Sequence, residues 1–306
     1  MKKILITGAT GFVGSHLTEY CVKKGYSVIA FDRYNPNNQW GWLENSKYLN
    51  DIEIVLGDIR DYDSVLNVMK KCEAVLHLAA LISIPYSYVS PLAYIRTNIE
   101  GTYNILEASK NLTIDDIIIT STSEVYGSAQ FVPMNETHPN VGQSPYSASK
   151  ISADQLSISY YKSFNLPIKI ARPFNIYGPR QSARAVIPTI ILQLLDHNLK
   201  KVKLGGLSPT RDFTYVEDAC FGFIEILKSK SLFGEIINIG MNQEISIESL
   251  SLKISEMMGH SKLQINTEKN RLRPKDSEVD RLYCDNTKLI TKTKWKPKYD
   301  LELGLR

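Results

Sequence analysis

Four side chains, Thr122, Glu124, Tyr146 and Lys150, have the types and spacing for proton chemistry. Residues four apart share one face of a helix, so a helical Tyr146–Lys150 pair sets an ammonium beside a phenol and favours the ionised form. Tyr20 and Lys24 have the same spacing, but they fall in what reads as the first crossover helix, where such a pair is surface. Tyr146 is singled out by position. It follows the Ser/Thr-rich strand end 120–123 and opens a helix after Ser144-Pro145. Thr122 and Glu124 bring a hydroxyl and a carboxylate to that same strand end.

A second group must hold a cofactor. Gly8, Gly11, Phe12, Val13 and Gly14 follow an apolar run and open an amphipathic one. Glycines there allow a tight turn and let backbone amides approach a pyrophosphate at the positive end of a helix. Asp32 ends the second apolar run at about the 20-residue spacing of a dinucleotide site. Its carboxylate accepts from a ribose 2′-hydroxyl and repels a 2′-phosphate, which favours NAD; Arg33 beside it argues the other way. Asp58 and Ile59, then Leu78, Ala79 and Ala80, follow the next two runs and are expected to flank the adenine and its ribose. The small residues among them also suit plain core. An oxidised nicotinamide ring would add a second positive charge near Tyr146 and draw its phenol from about 10 toward neutrality.

These residues need a frame, and the first half of the chain supplies one. Short β-branched runs at 4–7, 27–31, 52–56, 74–78 and 117–121 alternate with amphipathic stretches at 15–24, 64–71 and 97–110. A helix at 147–164 and a strand at 168–170 continue the series. Such alternation predicts an α/β fold, a Rossmann doubly wound parallel sheet, with a smaller C-terminal α/β lobe. We expect a cofactor domain over 1–178, completed by part of 210–240, and a mainly substrate-binding lobe over 179–306.

The bulk properties narrow the class. In a chain of 306 residues with net charge +4, basic stretch 291–298 (TKTKWKPK) reads as solvated surface, so no nucleic-acid partner is expected. Four scattered cysteines without a CxxC pair, and five scattered histidines, suggest reduced thiols, a cytoplasmic location and no metal site. No apolar run approaches the roughly 20 residues of a membrane span, and the start lacks the longer apolar stretch of a signal peptide.

The motifs TGATGFVG, Asp58, HLAA, STSEVYG, YSASK and RPFNIYGPR, in this order and across nearly the whole chain, resemble the extended short-chain dehydrogenase/reductases, the NAD-dependent epimerase/dehydratase family. The resemblance implies NAD as cofactor and a nucleotide sugar as substrate. It assigns Thr122 to orienting the sugar 4-hydroxyl, Tyr146 to accepting its proton, and Lys150 to holding the ribose and tuning Tyr146. It adds Thr97 and Pro173 to the cofactor contacts, and Asn175, Arg184, Arg211 and Arg273 to the substrate contacts, the arginines near the diphosphate. Arg281 fits an assisting role or a surface ion pair, and Asn238 a substrate contact or a turn. Two long helices resemble those of the family's dimer interface, so a homodimer is expected. The ending LELGLR resembles the start of the family's last helix, which predicts continuation past Arg306.

Within this family Glu124 points to dehydration. Epimerases carry a small residue there, whereas a 4,6-dehydratase needs a base for the C5 proton once C4 is a ketone. Ser123 stands where glucose-nucleotide dehydratases carry a separate aspartic acid, so one glutamate is expected to act as both base and acid. NQWGWLENS, PYSASKISADQLSISYYKSFNLP and GPRQSARAVIPTII resemble the 4,6-dehydratases of legionaminic acid biosynthesis, which implies GDP- or UDP-N-acetylglucosamine. A 4-epimerase and a UDP-glucuronate decarboxylase remain open, as does a non-catalytic NAD-responsive binding protein. Trp40 and Trp42 either pack the base side or anchor a loop.

Overall fold

A computed structural model of the chain describes residues 2–196, 201–260 and 264–306. Its centre is β1 (Lys3–Thr7), whose Ile4, Leu5 and Ile6 are fully buried. The helix α1 (Phe12–Lys23) leads to β2 (Ser27–Arg33), and a long loop leads to β3 (Ile52–Gly57). After α2 (Tyr62–Met69) the chain crosses to the other side of β1 as β4 (Ala74–His77). Short helices α3 (Ile84–Val89) and α4 (Pro91–Tyr94), a π-helical turn at Ile95–Glu100 and α5 (Gly101–Asn111) follow. Then come β5 (Asp116–Thr120), α6 (Pro145–Phe164) and β6 (Ile168–Pro173).

The strands lie in the order β3-β2-β1-β4-β5-β6, all parallel, with a seventh strand, Ile236–Ile239, outside β6. The order reverses between β1 and β4. In open α/β sheets that reversal leaves a crevice at the carboxyl ends of the strands. Apolar runs buried on both faces explain the parallel arrangement. Leu17, Cys21, Phe223 and Ile224 pack on one face, and Val65, Val68, Ile105 and Leu106 on the other.

The strands and crossover helices expected from periodicity are present, with one correction. The helix expected over 97–110 is preceded by α3 and α4 and begins in the π-helical turn. Pro85 and Pro91 both sit in the first turn of a helix, where the missing N–H is not needed.

Beyond β7 (Asn175–Tyr177) a second core gathers Ile190 and Leu194 of α7 (Val186–Leu195) with Leu204, Phe213, Leu250 and Ile254. The chain then returns to the sheet. Helix Val216–Lys228 packs over β5 and β6, and Ile236–Ile239 pairs with β6. Buried Lys169 fastens this return. Its Nζ reaches Asp116 at 2.9 Å and the carbonyls of Ile226 and Leu227, both at 2.9 Å, at the end of that helix. All four cysteines are free and buried. Among the described residues no helix is long and apolar enough to cross a membrane.

Candidate active site

The turn after β1 is built for close approach. Gly8 has φ +69°, and a Cβ on Gly14 would stand 2.0 Å from the Gly8 carbonyl oxygen. Side chains are excluded at both positions, so α1 starts directly against the loop. Gly11 caps α1 with no side-chain acceptor, which leaves the first amides, those of Phe12 and Val13 among them, uncapped for an anion. Asp32 at the end of β2 accepts from the Thr10 amide (2.9 Å) and hydroxyl (2.6 Å) through one oxygen. Its other oxygen accepts from the Arg33 amide at 2.7 Å. The carboxylate is thereby aimed beside the glycine turn, and the Arg33 side chain is exposed. These residues fit a dinucleotide. The loop 40–43 packs on the same turn, with the Trp42 amide donating to the Thr10 carbonyl at 3.1 Å. Trp40 joins the core as the loop's anchor, while Trp42 is half exposed.

Asp58 forms a forked pair with Arg60, down to 2.5 Å, which holds its carboxyl below the usual carboxylate range. The Ile59 carbonyl is held by Asn104 at 2.9 Å. The amides of Leu78 and Ala79 donate to Thr7 Oγ1, each at 3.1 Å, which shapes the segment running to Ala80. Thr97 lies in the π-helical turn, and Pro173 is buried at the end of β6.

Thr122, Ser123 and Glu124 leave the carboxyl end of β5. Thr122 caps a short 3-10 turn by accepting from the Glu124 amide at 3.3 Å, and Ser123 is buried within that turn. Ser144 and Ser147 cap α6 reciprocally at 2.9 and 3.1 Å, with Pro145 in the first turn, and this fixes Tyr146 at the start of the helix. The Tyr146 ring packs edge-on against Tyr94 with centroids 6.2 Å apart. Burial pushes its phenol up, hydrogen bonding with Thr122 pulls the other way, and the charge of Glu124 adds to the rise. Tyr146, Thr122 and Glu124 are therefore brought together.

One expectation needs correction. In the protein alone burial, and not the charge of Lys150, dominates the Tyr146 phenol and pushes it up. Lys150 Nζ donates to the Thr120 carbonyl at 2.5 Å, and burial lowers its own proton affinity while Asp154 supports it. The phenol is held neutral, and favouring its ionised form is left to the bound cofactor's charge. Of the Tyr20–Lys24 pair only Lys24 is surface; Tyr20 is half-buried against the core, with the Lys24 ammonium 5.4 Å from its ring centroid.

Several supporting residues escaped the sequence reading. The Thr7 hydroxyl accepts two amides, so its proton points to His77 Nδ1 at 2.8 Å. His77 Nε2 then faces Thr102 Oγ1 at 3.3 Å as donor, and Thr102 donates to the Asn98 carbonyl at 2.7 Å. Burial, with the nearby charge of Lys150, pushes His77 down to about 3, so the ring stays neutral. Asn98 grips the Leu81 amide (2.8 Å), the Leu81 carbonyl (2.9 Å) and Ser149 Oγ (2.9 Å), which joins the loop after β4 to the helix bearing Lys150. Asp154, one turn past Lys150, accepts from Ser121 Oγ (2.6 Å) and Arg172 (2.8 Å). The only local hint was the polar side chains on otherwise apolar helix faces.

The candidate substrate residues divide. Arg211 and Arg273 converge on Glu124 and Glu278. Arg211 lies 3.3 Å from Glu278, and Arg273 NH1 lies 3.5 Å from Glu124 and 3.6 Å from Glu278. Burial lowers the Arg211 proton affinity, which Glu124 and Glu278 offset and Arg273 worsens. Arg273 NH1 and Asn175 Oδ1 are among the buried polar atoms without a hydrogen-bond partner. Buried polar groups are ordinarily paired, so both atoms have hydrogen-bonding capacity to spare. Arg184 is exposed ahead of α7 and joins none of these ion pairs. Arg281 makes a surface pair with Glu244, 2.9 Å from each carboxylate oxygen through Nε. Asn238 is structural, accepting from Tyr126 at 2.7 Å and donating to the Met134 carbonyl at 3.0 Å.

Comparison with known proteins agrees with this geometry. The family model described as GDP-mannose 4,6 dehydratase matches residues 5–306. A dTDP-D-glucose 4,6-dehydratase of Dictyostelium discoideum is 36% identical over 274 residues, 83% of this chain; the match spans 62% of that longer protein. The dTDP-glucose 4,6-dehydratase of Streptomyces venezuelae, solved with NAD bound, superposes with a TM-score of 0.90 at 26% identity, covering 99% of this chain and 94% of that one. The UDP-glucuronic acid 4-epimerase of Bacillus cereus, solved with UDP-glucuronic acid and NAD, superposes with a TM-score of 0.87 at 31% identity, covering 99% and 96%.

Proposed function

Because the chain belongs to the GDP-mannose 4,6-dehydratase family of NAD-dependent nucleotide-sugar epimerases and dehydratases, we propose that it is a nucleotide-sugar 4,6-dehydratase. Its cofactor is NAD. The observation that carries the reading is Glu124, mostly buried beside Tyr146 and 3.5 Å from Arg273. An epimerase moves hydrogen only at C4 and has no use for a carboxylate there.

In this reading the glycine turn, the α1 amides and Asp32 hold the cofactor, with Lys150 on its ribose. NAD, when bound, supplies the hydride acceptor for C4, the hydride donor for C6, and the positive charge that favours the Tyr146 phenolate. Thr122 orients the sugar 4-hydroxyl and Tyr146 takes its proton. The C4 ketone acidifies the C5 proton, which Glu124 removes. The C6–O bond breaks, Glu124 returns its proton to the departing oxygen, and water leaves; as C6 receives hydride, C5 regains a proton, and the one Tyr146 took from the 4-hydroxyl balances it. Ser123 carries no separate acid, so one carboxylate does both jobs. Asn175, Arg184, Arg211 and Arg273 bind the sugar nucleotide.

We assign the substrate as GDP- or UDP-N-acetylglucosamine, by resemblance of the segments around Trp40, Ser147 and Ser182 to the legionaminic acid enzymes, and expect a homodimer. The test is mass spectrometry of products from UDP-, GDP- and dTDP-sugars offered in competition. A product lighter by one water, without net NADH release, supports dehydration. Carbon dioxide from UDP-glucuronate would establish the decarboxylase instead, and an unchanged mass with inverted C4 the epimerase.

A further inference from the structure

Buried Arg211 and partly exposed Arg273 meet two carboxylates of unequal use. Glu124 has a chemical role in the reading above; Glu278 has none. Yet Glu278 is the better placed against the arginines. One oxygen, Oε1, stands 3.3 Å from Arg211, 3.6 Å from Arg273 and 3.2 Å from the amide of Val279. The same residue's backbone is fixed, its carbonyl accepting from Gln143 at 3.2 Å and Ser128 at 3.4 Å. Its side chain is thus a tethered anion on an anchored segment, with 23% of its surface still exposed.

The distances show how firmly it is held. Charge-assisted N–H···O contacts run about 2.7–2.9 Å when fully formed. Both guanidinium contacts to Glu278 are longer, and Arg273 NH1 remains without a hydrogen bond. Two like charges converge on one oxygen, which takes a long hydrogen bond from Arg211 and none from Arg273. A diphosphate offers several oxygens in reach of both forks, which a single carboxylate oxygen cannot match.

We propose that Glu278 is a displaceable internal counter-anion. It keeps Arg211 and Arg273 convergent without ligand, occupies the anion position between them, and yields that position to the diphosphate of the incoming nucleotide. The idea rests on the nucleotide-sugar reading of the site but not on dehydration. An epimerase would need the same exchange. Glu278 is a positioning residue that sets affinity by competition, since removing a like charge from an anion site strengthens anion binding.

The test is calorimetric titration of the NAD-loaded protein with GDP and UDP, and with guanosine and uridine, for the parent and Glu278→Gln. Glutamine keeps the shape and the contact to the Val279 amide while removing the charge. Expected is about tenfold tighter binding of whichever diphosphate the parent binds, equivalent to about 1.4 kcal/mol. Nucleoside binding should stay unchanged and the ligand-free melting temperature should fall. Glu278→Asp, which shortens the reach, should give a smaller gain and guards against a glutamine variant that folds poorly. Weaker or unchanged diphosphate binding in a folded variant overturns the proposal, because a purely structural glutamate gives no gain. Loss of the dehydratase reading would appear instead in the product panel, with the diphosphate titrations intact.

Discussion

The Nζ of Lys150 donates to the Thr120 carbonyl oxygen at 2.5 Å, which ties the helix bearing Tyr146 to the strand end that leads into Thr122. The Tyr–Lys pair therefore works through placement before it works through charge. Burial holds the phenol neutral until a cofactor adds its positive charge.

Tyr146→Phe removes the proton acceptor and leaves the packing against Tyr94 intact. Loss of a positioned general base costs about 10²–10⁴-fold in kcat. NAD content should fall little, since the glycine turn, Asp32 and Lys150 also hold the cofactor. Steady-state rates together with the absorbance of acid-released nucleotide check both parts. A kcat within a few-fold of the parent would mean another group starts the reaction.

Glu124→Gln is expected to divide the chemistry. Oxidation at C4 needs only Thr122, Tyr146, Lys150 and NAD, so enzyme-bound NADH should form on mixing with substrate. Deprotonation at C5 should fail. Stopped-flow absorbance and solvent deuterium incorporation read the two steps separately, and deuterium entering C5 at the parental rate would remove Glu124 from its role.

The line between what was and was not legible runs along sequence distance. The β1 turn, β2 with Asp32, and the Tyr146 helix were readable because glycine spacing, strand periodicity and Ser-Pro capping are local. The pairing of Arg211 with Glu278 was not, because segments 67 residues apart meet only in the folded chain. Nor was the role of Asn98, whose partners Leu81 and Ser149 lie on two other elements. The Lys150 environment failed for the same reason. The i, i+4 rule gives a shared face, and a nearby carbonyl decided where the ammonium points.

His77 gives a pH dependence with a definite sign. Its native form is held neutral down to about 3, whereas an unfolded histidine takes up a proton near 6.5. A depressed native value means stability is full above about 6.5 and is lost as pH falls toward 3, at about 1.4 kcal/mol per unit. Between pH 6.5 and 5 the parent should lose about 2 kcal/mol more than His77→Asn by urea unfolding. Coincident slopes would show that the ring is not held neutral.

Gly14→Ala tests the cradle. The added methyl would meet the Gly8 carbonyl oxygen at 2.0 Å, a backbone atom with no rotamer to yield. The turn must open, displacing the amides that start α1. NAD content on purification should drop sharply while the far-UV spectrum stays close to that of the parent. Full retention of NAD would mean the turn accommodates the methyl and is not what holds the pyrophosphate.

The last prediction concerns Asp154 and Arg172, a fully buried ion pair at 2.8 Å behind the Tyr146–Lys150 turn. Arg172 also stacks over Tyr126 at 4.5 Å, and two of its nitrogens and one Asp154 oxygen lack hydrogen-bond partners. The pair is thus incompletely satisfied, and in such pairs desolvation offsets much of the attraction. Removing one partner is a different matter. Arg172→Met strands a carboxylate in the interior and should cost about 3–5 kcal/mol. Adding Asp154→Asn removes the stranded charge, so the double variant should be more stable than Arg172→Met alone. Chemical denaturation of the parent, both single variants and the double variant closes the cycle. If the double variant only adds the two single losses, Asp154 and Arg172 are not coupled. With coupling, kcat at a fixed pH separates the roles further. Asp154→Asn should lower activity by weakening the charge that favours protonated Lys150, even where the protein remains folded.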